Sequence, residues 1–97
     1  MTTDLRRTDW TLPGLHLADL ILPVPLDHAD PDGSRLELFA RLVSRPDGED
    51  LPVLVYLQGG PGSEAPRPLD PTSPPWLPRA LREHRVLMLD QRGTGRS

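Results

Sequence analysis

Val53-Leu54-Val55-Tyr56-Leu57 runs straight into Gln58-Gly59-Gly60-Pro61-Gly62, and this junction decides how the chain is read. The five residues ahead of the glycines are apolar or aromatic, and valine and tyrosine favour a pleated strand. They do not alternate with polar residues. A continuous run of this kind suits a central strand covered on both faces, as in α/β proteins. The three glycines around one proline let the backbone turn sharply and approach a ligand closely. The reading therefore begins as a buried strand that empties into a functional loop.

Downstream, the stretch 65–78 holds six of the 13 prolines and reads as a loop. From Trp76 to His84, apolar residues fall at Leu77, Ala80 and Leu81, the spacing of a short amphipathic helix. Pro78 fits only in its first turn. Arg85-Val86-Leu87-Met88-Leu89 is a second buried strand, ending at Asp90. Strand, helix and strand at this spacing predict a parallel pair joined by a crossover. Functional loops of such sheets lie at the carboxyl ends of the strands, where both glycine-rich loops fall.

Upstream, Leu17 to Leu26 is apolar, but Pro23 and Pro25 demote it to an edge strand. Asp30-Pro31-Asp32-Gly33 is a turn signal. Arg35 to Val43 alternates, with Leu36, Leu38, Ala40 and Leu42 on one face and Arg35, Glu37 and Arg41 among those on the other. That pattern predicts a half-buried strand in an antiparallel hairpin with the preceding one. Arg45-Pro46-Asp47-Gly48 is a second turn. Residues 1–16 carry little pattern and are expected to be irregular.

Two stretches carry candidate chemistry. In Gln58-Gly59-Gly60-Pro61-Gly62, the absence of side chains leaves N–H groups free to point at an anion, although the same residues also suit a plain turn. Fixed donors aimed at a developing oxyanion lower an acyl-transfer barrier by roughly 3–4 kcal/mol each. The second stretch is Asp90-Gln91-Arg92-Gly93-Thr94-Gly95-Arg96-Ser97. It lacks the Gly-Lys-Ser/Thr of a P-loop, and two glycines fall short of a dinucleotide fingerprint. Its expected role is structural, with Asp90 and Arg92 paired to brace the loop.

Together the two stretches resemble the His-Gly-Gly-Pro-Gly and Asp-Gln-Arg-Gly-x-Gly-x-Ser signatures of the proline iminopeptidase (prolyl aminopeptidase) family. The resemblance spreads over residues 22–97. It takes in Val24-Pro25-Leu26-Asp27-His28, Leu38-Phe39-Ala40-Arg41, Tyr56 to Gly62, Ala65-Pro66-Arg67-Pro68 and the helix from Trp76 to Leu81. Gln58 stands where histidine is usual in the shorter branch of the family, which points to the longer-chain branch.

The resemblance implies an α/β-hydrolase fold, with residues 17–97 its N-terminal portion: an antiparallel hairpin, then strand, loop, helix and strand. It implies a serine hydrolase that removes an N-terminal proline from peptides. In that scheme a serine on a strand–helix elbow attacks the carbonyl, a histidine relays the proton and an aspartate orients the histidine. Gly60, with Gly59 next, is the expected backbone donor to the oxyanion, and Gly60–Pro61 is a candidate cis bond. No Gly-x-Ser-x-Gly elbow occurs in the 97 residues, so the sequence is expected to be a fragment, inactive by itself, truncated before the nucleophile.

Ser63 and Ser97 lie in loops without the elbow context. Ser34, Ser44 and Ser73 read as turn or linker residues. His16, His28 and His84 precede any nucleophile, whereas the catalytic histidine of this fold comes last; His84 is expected to face the last carbonyls of the helix. Asp90 also precedes the position of the triad acid and is read as structural. Glu64 and Arg67 border the expected site. Other α/β-hydrolases (a tripeptidyl aminopeptidase, an esterase or an epoxide hydrolase) and a non-catalytic remnant are the alternatives.

Composition sets outer limits. The net charge is −3, all 11 basic residues are arginine, and there is no basic stripe for nucleic acid. Cysteine is absent, which removes disulfides and thiolate-bound metal. The expected chemistry needs no metal or cofactor. The apolar run from Leu20 to Pro25 is too short to span a membrane, and the start lacks a signal-peptide pattern. A soluble, cytoplasmic protein is expected.

Overall fold

The computed structural model describes residues 4–58 and 62–97. Near its start, Pro13 and Gly14 reverse the chain. Gly14 has φ 78°, the left-handed value that the third position of a type II turn requires. Strand β1 (Arg6–Leu12) enters this turn and β2 (Leu15–Pro25) leaves it. They pair antiparallel from Arg6↔Ile21 to Leu12↔Leu15. The expectation of an irregular stretch over 1–16 is therefore corrected, because β1 lies inside it. Its apolar positions, Trp10 and Leu12, are too few to register as a pattern. They are held by packing on the core rather than by a run of their own.

Strand β3 (Arg35–Ser44) pairs antiparallel with β2 from His16↔Ser44 to Pro25↔Arg35, the expected hairpin. The prolines of β2 behave as edge residues only locally. Pro23 and Pro25 lie beyond Ile21, the last partner of β1, so their missing N–H groups leave no ladder broken there. The rest of β2 runs between two neighbours.

Strand β4 (Val53–Leu57), helix α1 (Leu77–Glu83) and strand β5 (Arg85–Leu89) follow. β4 and β5 are parallel, from Val53↔Arg85 to Leu57↔Leu89. β5 also pairs antiparallel with β3. The sheet order is β1-β2-β3-β5-β4, so the later strand sits between two earlier ones.

Because β3 is interior, it is buried on both faces from Phe39 to Ser44. The alternation read from the sequence applies only to its first half. Arg41 is buried with a partner: Asp19, directly opposite on β2, accepts from its Nε at 2.7 Å and its Nη2 at 3.2 Å. The guanidinium also lies 4.9 Å from the Trp10 ring centre. An ion pair with an aromatic lid reads as solvent-facing charge in a one-dimensional pattern.

Helix α1 has seven residues and no side-chain N-cap. A helix this short is marginal without tertiary support. Pro78 sits in its first turn, and the His84 N–H closes it by donating to the Ala80 carbonyl at 2.9 Å. Leu77 and Leu81 press into a core of Leu15, Leu17, Val43, Ala65, Val86 and Met88, with Tyr56 and Trp10 packed against it. Full burial of a leucine such as Leu77 contributes roughly 1.5–3 kcal/mol.

The expectation for β4 is also corrected. It is the outermost strand, and Val53, Leu54, Val55 and Leu57 are 41–66% exposed. Composition fits it for a central position, but no second neighbour lies beside it among the described residues. Among these residues no helix is long and apolar enough to cross a membrane.

Candidate functional site

Parallel pairing of β4 and β5 in matched register brings Leu57 and Leu89 side by side. The two glycine-rich stretches therefore leave the sheet together, at the carboxyl ends of neighbouring strands. The first of them follows β4, the fourth strand, because β1 precedes the three strands expected up to that point. Gly59 and Gly60, the expected oxyanion donors, and the Gly60–Pro61 bond lie outside the described residues. The residues on either side of them are described, and they fix where the stretch begins and ends.

Asp90 is the centre of the arrangement. Its side chain is fully buried, yet both oxygens are filled by donors. Oδ1 accepts from the Ala65 N–H at 2.9 Å and from Arg67 Nη1 at 3.0 Å. Oδ2 accepts from Arg67 Nη2 at 2.5 Å and from the Arg96 N–H at 3.0 Å. Burial pushes this carboxyl up, but the Arg67 hydrogen bonds, then the N–H groups of Arg96 and Ala65, outweigh it and hold the group below its ordinary range. The same pairing raises Arg67. Arg67 also donates from Nη1 to the Ala65 carbonyl at 3.0 Å and lies 3.3 Å from Glu64.

The next residue makes a second tie. Gln91 Nε2 donates to the Gln58 carbonyl at 2.9 Å, while the Gln58 side chain accepts from the Tyr56 hydroxyl at 3.2 Å. Beyond it the second loop folds on itself. The Thr94 N–H and hydroxyl both donate to the Gln91 carbonyl. The Ser97 hydroxyl donates to the Asp90 carbonyl at 2.8 Å and accepts from the Phe39 N–H at 2.8 Å. Ser97 thus extends the contact with β3 where β5 has ended. Arg96 lays its guanidinium 4.2 Å from the Phe39 ring centre and 3.6 Å from Asp19.

The expected Asp90–Arg92 pair is not formed. Arg92 turns the other way and donates to the Leu26 and Pro25 carbonyls, each at 2.9 Å, with His28 Nε2 also at 2.9 Å. It pins the β2–β3 connection, and Arg67 takes the place beside Asp90. The sequence offered one signal for this: Arg67 is a charge flanked by Pro66 and Pro68, where a solvated residue has no evident reason to be.

The remaining candidates are dispersed. Ser63 is exposed in the loop after β4, and Ser34 and Ser73 are exposed in connections. Ser44 closes β3 and is buried, so it belongs to a strand rather than a linker. His16 sits on β2, 2.8 Å from Asp9 and 3.8 Å from Glu49. Arg7, with His16 second, holds Asp9 well below the usual carboxylate range. His84 caps α1 through its backbone.

A mixed α/β sheet with two glycine loops tied together at the carboxyl ends of a parallel pair is the class that fold and site define. No protein-family model matches the chain. It is 50% identical over 91 residues to a proline iminopeptidase of Aeromonas sobria, an alignment covering 91% of this chain and 21% of that protein. It is 47% identical over 78 residues to the proline iminopeptidase aneH of Aspergillus aculeatus, covering 76% of this chain and 17% of that one. Over most of its length the chain is a relative of the proline iminopeptidases, and it spans about a fifth of their length (21% and 17%).

Proposed function

We propose that the chain forms the glycine-loop half of the active site of a serine aminopeptidase with the α/β-hydrolase fold, and that the whole protein releases N-terminal proline from peptides. The observation that carries this reading is the convergence of Gln58 and Asp90-Gln91 at one end of β4 and β5, in a sequence half identical to a proline iminopeptidase.

The chemistry runs as follows. A serine hydroxyl, activated by a histidine that an aspartate orients, adds to the carbonyl carbon of the N-terminal proline. The carbonyl oxygen becomes an oxyanion, and a backbone N–H of Gly60 or Gly59 donates to it. Loss of one such donor lowers kcat by about 100- to 1,000-fold. The intermediate collapses with release of the shortened peptide, which takes the histidine's proton. Water then hydrolyses the prolyl ester. The 97 residues hold no Gly-x-Ser-x-Gly elbow, so this polypeptide by itself is expected to hydrolyse nothing.

The test is to express the complete reading frame and compare proline-naphthylamide with alanine-naphthylamide. Fast, proline-selective cleavage that a serine-directed phosphonate abolishes supports the reading. Cleavage of esters alone would place the protein among other α/β-hydrolases.

A further inference from the structure

Gln58, which opens the first glycine stretch, and Ala65, three residues beyond its last glycine, are each held by one of two consecutive residues, Asp90 and Gln91. Gln91 Nε2 donates to the Gln58 carbonyl, and the Ala65 N–H donates to Asp90 Oδ1. Arg67 adds a two-pronged contact to the same carboxylate. The other side of that carboxylate accepts from the Arg96 N–H. We infer that Asp90 and Gln91 are positioning residues, which hold Gln58 and Ala65, on either side of the glycine motif, against the end of β5. The catalytic consequence of this, though not the tie itself, rests on the peptidase reading above.

Three features favour a positioning role over a general contribution to the core. First, Asp90 meets only donors: two backbone N–H groups and two guanidinium nitrogens, distributed two to each oxygen. An asparagine in its place offers one oxygen and one NH2, so it satisfies one loop and turns donors on the other. Second, the carboxylate is fully buried and closely approached on one side: a Cβ on Gly95 would lie 2.3 Å from Asp90 Oδ2. Third, Gln91 contributes nothing to the apolar core, and its side-chain amide is aimed at the last carbonyl before the glycines. A bidentate arginine–carboxylate contact adds geometric definition that a point charge does not.

The experiment uses the protein from the complete reading frame, with Asp90→Asn, Arg67→Lys and Gln91→Met. Hydrogen exchange of peptides covering 62–67 and 90–97 is the first readout. Asp90→Asn should speed exchange at Ala65 or Arg96 about tenfold or more, while peptides from β2 and β3 stay unchanged. Arg67→Lys, which keeps the charge and loses the fork, should do so by a smaller factor, and it serves if Asp90→Asn does not fold. The second readout is kinetic. On proline-naphthylamide, kcat should fall about tenfold or more in Asp90→Asn and Gln91→Met with KM within about twofold. A proline boronate, which forms a tetrahedral adduct, should lose affinity while product proline does not.

Unchanged exchange in both loops of the folded variants would overturn the tie. Loosened loops with unchanged kcat in an active enzyme would leave Asp90 a structural brace and overturn the positioning role. A wild-type protein that releases no proline would end the peptidase reading, and the exchange data would still decide the tie.

Discussion

A methyl group on Gly95 has nowhere to go. The residue has φ 49°, and a Cβ there would lie 2.3 Å from Asp90 Oδ2 and 2.7 Å from the Glu64 Cβ. Strain at the dihedral alone is worth about 1–3 kcal/mol, so Gly95→Ala in the whole protein should lower stability by about 2 kcal/mol or more, read as a shift in the denaturation midpoint. Asp90 makes a pH prediction. Arg67 and the Arg96 and Ala65 N–H groups depress its folded-state pKa despite burial. A depressed carboxyl contributes stability that is complete above the unfolded value, about 3.9, and is lost as pH falls through the folded value. Thermal midpoints measured downward from pH 5 should drop in the wild type, and Asp90→Asn should show a shallower drop from a lower start. At this scale the sequence was half legible. The glycines and the buried aspartate stand out after an apolar strand, but the partner of Asp90 does not. Arg92 is two residues away and Arg67 is 23, and only the parallel register of β4 and β5 makes the distant one the neighbour.

Among the elements, α1 depends on its two leucines more than on its own propensity. Leu77 is fully buried and Leu81 is 3% exposed in a helix of seven residues. Leu81→Ala should cost about 2–5 kcal/mol, and far-ultraviolet dichroism should show whether the loss of packing also unwinds the helix. The elements that periodicity marked were found where they were read: the β2–β3 hairpin, the proline-rich loop, the short helix with Pro78 in its first turn, and the β4–β5 pair. β1 escaped because a strand anchored by Trp10 and Leu12 has too few apolar positions to alternate visibly. The burial of β3 escaped because Arg41 is neutralised by Asp19, a residue on another strand. Both misses have one cause. Pattern reading sees the composition of a segment, whereas burial is decided by its neighbours in the sheet.

At the scale of the whole 97-residue polypeptide, the outer strand bears on behaviour in solution. Among the described residues β4 has an open edge, with Val53, Val55 and Leu57 at 45%, 52% and 66% exposure. Exposed apolar edges recruit further strands. The 97-residue polypeptide should therefore self-associate, and Val55→Lys with Leu57→Lys should reduce the associated fraction in sedimentation velocity without altering the secondary structure. The sheet order also has a consequence for biosynthesis. β1, β2 and β3 are joined by short connections and can pair as they leave the ribosome. β4 emerges next, but its one partner among the described residues is β5, which must first take its place against β3. At about 5–20 residues per second, translation of residues 58–84 leaves an apolar strand unmatched for about one to five seconds. During that interval the unpaired strand is open to association with other chains, and synonymous codon changes that slow this stretch should lower soluble yield while leaving the finished protein unchanged.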